Sequence, residues 1–323
     1  MDDLLVVGSG LTGLAVAKTL QQRNATSGVR LLDQSSKSPS YSLTLLDSTI
    51  QKLEGAWDCS GALSKAAVDA QLGQDGSIQQ RYVDGQSGKA VDGPGQAGSS
   101  KRISREALDK FLKEGISIQY DKKVDKVERT DKGVKLHFRD ESTTEGSFAF
   151  VCDGIHSSIR AQLYPSIKPE VLPYVVYSGQ RKLSKAEAEP FLSATSTVRT
   201  AYLPNACITF AFNTISEEGG RLQWIYSRNP LPDSDPLFTP GRSNPSARDI
   251  PEALYEELHS HAEACIEPFK SLLKSIAPDN GDRQYNWLMR EVDAKAVAEA
   301  QSDLDKNRVM LLGDAAHAMP IFG

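Results

Sequence analysis

Three glycines at positions 8, 10 and 13 sit in the run Leu4-Leu-Val-Val-Gly-Ser-Gly-Leu-Thr-Gly13 and satisfy G-x-G-x-x-G. Such spacing suits phosphate chemistry: one glycine permits a tight turn, one lets a pyrophosphate approach the backbone, and one lets helix and strand pack closely. Unpaired N–H groups and a partial positive charge at the helix start then face the anion. A carboxylate at Asp33, about 20 residues beyond the last glycine, suits a grip on ribose hydroxyls. Two further turns carry carboxylates next to glycine, Asp153-Gly154 and Gly313-Asp314.

The flanking residues predict the elements that hold these groups. Leu4 to Val7 reads as a buried strand, Leu14 to Leu20 as a helix, and Val29 to Leu32 as a second strand ending at Asp33. Ser147 to Cys152 and Arg308 to Leu312 repeat the buried-strand pattern and deliver Asp153 and Asp314. The late return of a parallel-sheet pattern implies a discontinuous first domain. Tyr41 to Leu46 reads as extended, residues 47 to 72 as helix interrupted near Trp57 and Gly61, and Tyr82 to Gly88 as a strand entering a turn. Ser104 is the expected N-cap of a helix at Arg105, and helix initiation is expected at Ser157.

Ile116 to Tyr120, Lys123 to Glu128 and Val134 to Phe138 predict a small antiparallel meander, with a turn at Asp131-Lys132-Gly133. Beyond Pro165, strand-like runs at Tyr174–Ser178, Val198–Leu203, Ile208–Phe212 and Arg221–Ser227 predict a second sheet. Residues 230 to 246 read as a surface loop and 251 to 276 as one long helical stretch. Gly93, Gly95 and Gly98 repeat the G-x-G-x-x-G spacing, but no apolar strand precedes them, so that segment reads as a Gly/Ser loop.

Composition narrows the function classes. The chain has 323 residues, beyond what one core usually supports, and its 39% hydrophobic and 24% charged residues are those of a globular protein. A net charge of -5, with Lys and Arg never clustered beyond a pair, disfavours nucleic acid as a partner. Cys59, Cys152, Cys207 and Cys265 stand far apart, which fits neither a disulfide framework nor a zinc site. His259 and His261 are two apart on a helix and face different directions, so no metal is expected. Without a basic leader or a membrane span in the pattern, a cytoplasmic location is expected.

The order and spacing of three segments carry a resemblance: Gly8 to Gly13 with Asp33, Cys152-Asp-Gly154 followed by Ile-His-Ser-Ser-Ile-Arg160, and Gly313-Asp-Ala-Ala-His-Ala-Met-Pro320. They resemble the group A FAD-dependent aromatic monooxygenases, which include p-hydroxybenzoate and salicylate hydroxylases. Residues 41 to 53 and Arg105-Glu-Ala-Leu108 look like that family too. The resemblance implies an α/β fold, with a Rossmann-like FAD-binding domain of the glutathione-reductase type and a mixed-sheet α+β substrate domain. The expected boundaries are residues 1–165, 166–295, and a return to the first domain at 296–323. No W-x-W-x-I-P of the flavin halogenases occurs, only Trp224-Ile-Tyr226.

Site roles follow by resemblance. Gly8, Gly10 and Gly13 would lie against the FAD pyrophosphate, and Asp33, where the family usually has Glu, would hold the adenosine ribose. Arg105 would reach the ribitol and phosphate region, and Asp314 would bind a ribitol hydroxyl with Pro320 close to the flavin ring. Asp153 would serve FAD and a transient NADPH contact. Residue-level alternatives stay open: an N-cap for Asp314, a turn aspartate for Asp153, and a packing role for His317. Arg181 and Tyr226 could face a ligand, or be a surface arginine and a core tyrosine.

The implied activity is an NADPH- and O2-using hydroxylation of a small aromatic or polyketide-like compound of secondary metabolism. No catalytic protein base is identified, because the cofactor carries the hard chemistry. Two other readings are a catalytically silent flavin-binding chain and an NAD-dependent dehydrogenase. The first arises because the family continues past this segment with a glycine-rich turn and helices, whereas the sequence stops at Gly323.

Overall fold

A computed structural model describes residues 3–23, 28–37, 41–68, 77–78, 80–93, 99–192, 198–216, 218–278 and 283–319. Pro320, Gly95 and Gly98 lie outside them. The apolar strand Leu4–Val7 occupies the centre of a five-stranded parallel sheet. Its neighbours are Val29–Leu32, flanked by Ile118–Gln119, and Phe148–Val151, flanked by Val309–Leu311. Leu5, Val6, Leu31, Leu32, Val151 and Leu311 have no exposed surface. Parallel strands covered on both faces must be apolar nearly throughout, and each fully buried aliphatic side chain contributes about 1.5–3 kcal/mol.

Helix Leu11–Arg23 lies against this sheet and packs on helix Arg105–Lys113. The second helix starts where Ser104 predicts, with the serine hydroxyl accepting from the Ala107 N–H at 3.4 Å. Helix Ser158–Leu163 begins likewise, the Ser157 hydroxyl accepting from the Arg160 N–H at 3.0 Å.

A mixed six-stranded sheet forms the second layer, in the order Arg283–Asn286, Val175–Ser184, Gly219–Arg228, Ala206–Ser216, Val198–Leu203, Gln80–Asp84. Every pair is antiparallel except the last, so the strand at residues 80–84 joins this sheet from the N-terminal half of the chain. One face carries Trp224, Tyr226, Tyr177 and Phe212 into a core closed by Leu254, Leu258 and Phe269. The opposite face looks toward strand Ser42–Leu46, which pairs with Ser100–Ser104.

Two expectations are corrected. Ile118–Gln119 leaves the meander and extends the parallel sheet beside Leu31 and Leu32, while Thr143–Gly146 becomes the third meander strand. A short apolar run pairs wherever a buried edge is open, and its own sequence does not name that edge. The stretch at 251–276 is two helices, Glu252–Ala264 and Phe269–Ser275. Pro268 cannot donate an N–H and its ring collides with the preceding turn, so the helix must stop and restart. Among the described residues no helix is long and apolar enough to cross a membrane.

Candidate functional site

Sheet register assembles the site. Val7 lies opposite both Leu32 and Val151, and Val151 lies opposite Leu311. The residues that follow, Gly8, Asp33, Cys152 and Leu312, therefore leave four adjacent strands side by side at one edge, the carboxyl edge where open parallel sheets bind ligands. Backbone bonds fix this alignment: the N–H groups of Gly8, Cys152 and Leu312 donate to the carbonyls of Leu32, Val7 and Val151 at 2.8, 2.7 and 2.9 Å.

Two of the three glycines are required by close backbone packing. A Cβ on Gly13 would overlap the Gly8 carbonyl oxygen, so the helix can approach the strand only without one. A Cβ on Gly8 would strike the Cys152 carbonyl, which brings the Asp153-Gly154 turn against the first glycine turn. Gly10 faces open space, with nothing within 4 Å of an added Cβ. At Gly313, φ is +60° and a Cβ would lie 2.5 Å from the Thr12 hydroxyl oxygen. The C-terminal Gly313-Asp314 turn thus closes onto the first turn of helix Leu11–Arg23.

Asp33 accepts from the Ser9 N–H within the glycine turn and from the Ser35 N–H at 2.7 Å. Asp314 is exposed at the start of the short helix Asp314–His317, and His317 is exposed at its end. Asp153 is the odd carboxylate: its Oδ1 is sealed from solvent without a hydrogen-bond partner, and burial raises its carboxyl above the usual range. Arg105 stands apart from this edge. It is buried, its Nε donating to Asp109 at 2.7 Å and its Nη1 to the Tyr41 hydroxyl at 3.4 Å.

One tie is not evident from the motifs. Arg160, buried in helix Ser158–Leu163, donates from Nη1 to the Ala315 carbonyl at 2.7 Å and from Nη2 to the Ile155 carbonyl at 2.6 Å. It joins the segment after Asp153 to the segment after Asp314. The sequence carries little signal for it, since Ser158 and Gln162 make this helix turn read as partly polar; an arginine so buried is held there by its partners.

Tyr41 leads into a cavity of about 850 Å3 between strand Ser42–Leu46 and the six-stranded sheet. Its walls include Tyr82, Tyr202, Tyr174, Trp287, Met289, Thr200, Thr209, Gln223 and Ile225. Tyr82 and Tyr202 stack with ring centroids 6.3 Å apart. Side chains alternate between the faces of a strand, so Gln223 and Ile225 face the cavity while Trp224 and Tyr226 face the helices. Tyr226 donates to Glu257 and lies 3.2 Å from His261, and Arg181 donates to the Ser275 carbonyl and pairs with Glu187 at 3.7 Å. Neither lines the cavity.

No protein-family model matches the chain. A relative from Emericella nidulans, the FAD-dependent monooxygenase aptC, is 29% identical over 348 residues, covering 99% of this chain and 81% of the relative. Along nearly its whole length the chain is similar to FAD-dependent monooxygenases. The crystal structure of a putative FAD-containing monooxygenase from Photorhabdus luminescens shares the fold, with a TM-score of 0.72 and 18% identity across 99% of this chain and 83% of that one. A salicylate hydroxylase substrate complex does so with a TM-score of 0.67 and 18% identity, across 98% and 74%.

FAD fits this monooxygenase on its own geometry. The turn at Gly8–Gly13 is a backbone cradle with open space at Gly10, at the N-terminus of a 13-residue helix. Asp33 stands beside it, and the unpartnered Asp153 Oδ1 is a buried acceptor close to the same turn.

Proposed function

We propose that this FAD-dependent monooxygenase uses NADPH and O2 to hydroxylate a small aromatic or polyketide-like compound held in the cavity. The observation that carries this reading is the convergence of Gly8–Gly13, Asp33, Asp153 and Gly313-Asp314 on one sheet edge, with Tyr41 linking Arg105 to the cavity. In this reading residues 1–165 and 296–323 form the FAD-binding domain and 166–295 the substrate domain, which borrows the strand at 80–84. The free thiols Cys59, Cys152, Cys207 and Cys265 support a reducing, cytoplasmic location.

Gly8, Gly10 and Gly13 would hold the pyrophosphate of FAD, Asp33 the adenosine ribose, Arg105 the ribitol-phosphate region, and Asp314 a ribitol hydroxyl, with Pro320 close to the ring. Asp153 would serve FAD and the transient NADPH contact. Bound FAD supplies the redox chemistry that takes electrons from NADPH and passes one oxygen atom of O2 to an electron-rich carbon. The chain itself orients and excludes. Tyr82, Tyr202, Tyr174 and Trp287 offer flat walls that fix the plane of a ring, and Val176, Ile225 and Met289 keep water from it. Thr200, Thr209 and Gln223 provide polar atoms at the wall for hydroxyls of the ligand.

The test is reconstitution of the purified chain with FAD, then a panel of phenols and fused-ring polyketides scored for both NADPH oxidation and oxygenated product. The expected result is a yellow protein with at least one compound that stimulates both. Colourless protein that takes up no added FAD refutes the reading. Bound FAD with no stimulated turnover across the panel returns the silent flavin-binding alternative.

A further inference from the structure

Arg102 stands where the two layers meet. On strand Ser100–Ser104 it lies opposite Thr44, and its side chain lines the cavity. Only 6% of the residue is exposed. Nε donates to the Phe212 carbonyl at 2.8 Å, Nη1 to the Thr44 hydroxyl at 3.2 Å and Nη2 to the Asn213 side-chain oxygen at 2.7 Å. Phe212 and Asn213 sit at a register irregularity in strand Ala206–Ser216.

All three acceptors are neutral. Arg105 and Arg228 are similarly buried, yet each faces carboxylates, Asp109 for the first and Asp235 with Glu257 for the second. Arg102 has no carboxylate partner among the described residues, and burial alone pulls its guanidinium down to about 10. Among the described residues no other cavity-lining side chain carries a formal charge. A guanidinium has five N–H donors, so one on each Nη remains beyond the three bonds above. A buried cation without a counter-charge is costly, and the remaining open side is the cavity.

We propose that Arg102 determines substrate selection by binding an ionised oxygen of the ligand, the phenolate or enolate of an acidic hydroxyl. This rests on the cavity being the substrate site. Charge-assisted bonds from Nη1 and Nη2 favour the anion over the neutral hydroxyl, whose proton passes to solvent as the ligand binds. The ring is thereby held in its more electron-rich form, the form that an oxygen-donating cofactor attacks. The cavity accordingly prefers compounds with an ionisable hydroxyl to their methyl ethers.

Equilibrium dialysis of the FAD-loaded protein with para-nitrophenol and para-nitroanisole, across the ionisation range of the phenol, tests this. In the wild type, affinity for the phenol rises as it ionises, while affinity for the ether stays flat. Arg102→Met weakens phenolate binding by about tenfold or more and leaves ether binding within about twofold, and Arg102→Lys keeps the preference in reduced form. Equal loss of both ligands in Arg102→Met, accompanied by a fall in melting temperature and FAD content, identifies Arg102 as only a tie between layers and overturns the proposal. A wild type with no preference for the phenolate overturns it too. Should Arg102→Met not fold, the wild-type profile and Arg102→Lys decide alone. FAD content of the same preparations reports separately on the proposed function.

Discussion

Alanine at Gly10 and at Gly13 should separate ligand binding from folding, although the positions are three residues apart. Gly10 sits just before helix Leu11–Arg23, its carbonyl accepting the first helical bond from the Leu14 N–H at 2.9 Å, and an added methyl meets nothing within 4 Å. The cost to the apoprotein is the difference between glycine and alanine at a helix N-cap, about 0.5 kcal/mol. At Gly13 the methyl overlaps the Gly8 carbonyl, a rigid backbone atom, and helix and strand must part. Overpacking of this kind costs about 1–3 kcal/mol or more. At about 2–4 °C per kcal/mol, Gly10→Ala lowers the apoprotein melting temperature by about 1–2 °C and Gly13→Ala by about 2–12 °C. For FAD the order reverses in meaning, because the open space at Gly10 is where a pyrophosphate would lie. Gly10→Ala should weaken FAD binding by about tenfold or more in a fluorescence titration while the fold stays intact. Equal apoprotein stabilities for the two variants, or unchanged FAD affinity in Gly10→Ala, would refute this assignment of the turn.

Three further outcomes follow from the same edge of the sheet. Asp314→Ala removes an exposed carboxylate that makes no side-chain hydrogen bond among the described residues, so flavin content on purification should fall while the apoprotein melting temperature stays within about 1–2 °C; unchanged flavin content refutes a role for Asp314 in holding FAD. Arg160→Met strips the buried Ala315 carbonyl and the half-buried Ile155 carbonyl of their donor, and should cost about 1–3 kcal/mol in urea unfolding with a parallel loss of FAD affinity. Burial raises the Asp153 carboxyl, so the native apoprotein holds that proton more tightly than the unfolded chain. The sign is then fixed: this group stabilises the fold as pH falls through its raised value and opposes it above, and Asp153→Asn should remove that part of the pH dependence of melting.

The sequence made the parallel sheet legible because burial on both faces forces apolar runs, unbroken in Leu4–Val7, Phe148–Val151 and Val309–Leu311 and interrupted only by the exposed Arg30 in Val29–Leu32. A glycine or a carboxylate follows each run within two residues, at Gly8, Asp33, Asp153 and Gly313, and turn chemistry of that kind is readable from the sequence. The cavity was not legible in this way. The sequence left Tyr226 open between a ligand-facing and a core position, since a strand does not declare which face will be covered by helices; the structure puts Tyr226 in the core and Gln223 and Ile225 at the cavity. Arg102 carries no signal of its own in the sequence, where a basic residue beside Lys101 has the pattern of a surface position.

By itself the sequence determined the two structural languages of this monooxygenase, the glycine turns at strand ends and the long alternating strands of the second sheet. Tertiary structure alone decided that Gly313 closes on Thr12, that Arg160 bridges two motifs, and that Arg102 and Tyr41 meet the six-stranded sheet around one cavity. The physical reason is range. Turn chemistry and periodicity are set by neighbours a few residues away, whereas a buried charge and a cavity wall are set by groups more than one hundred residues distant, brought together only when both cores are packed.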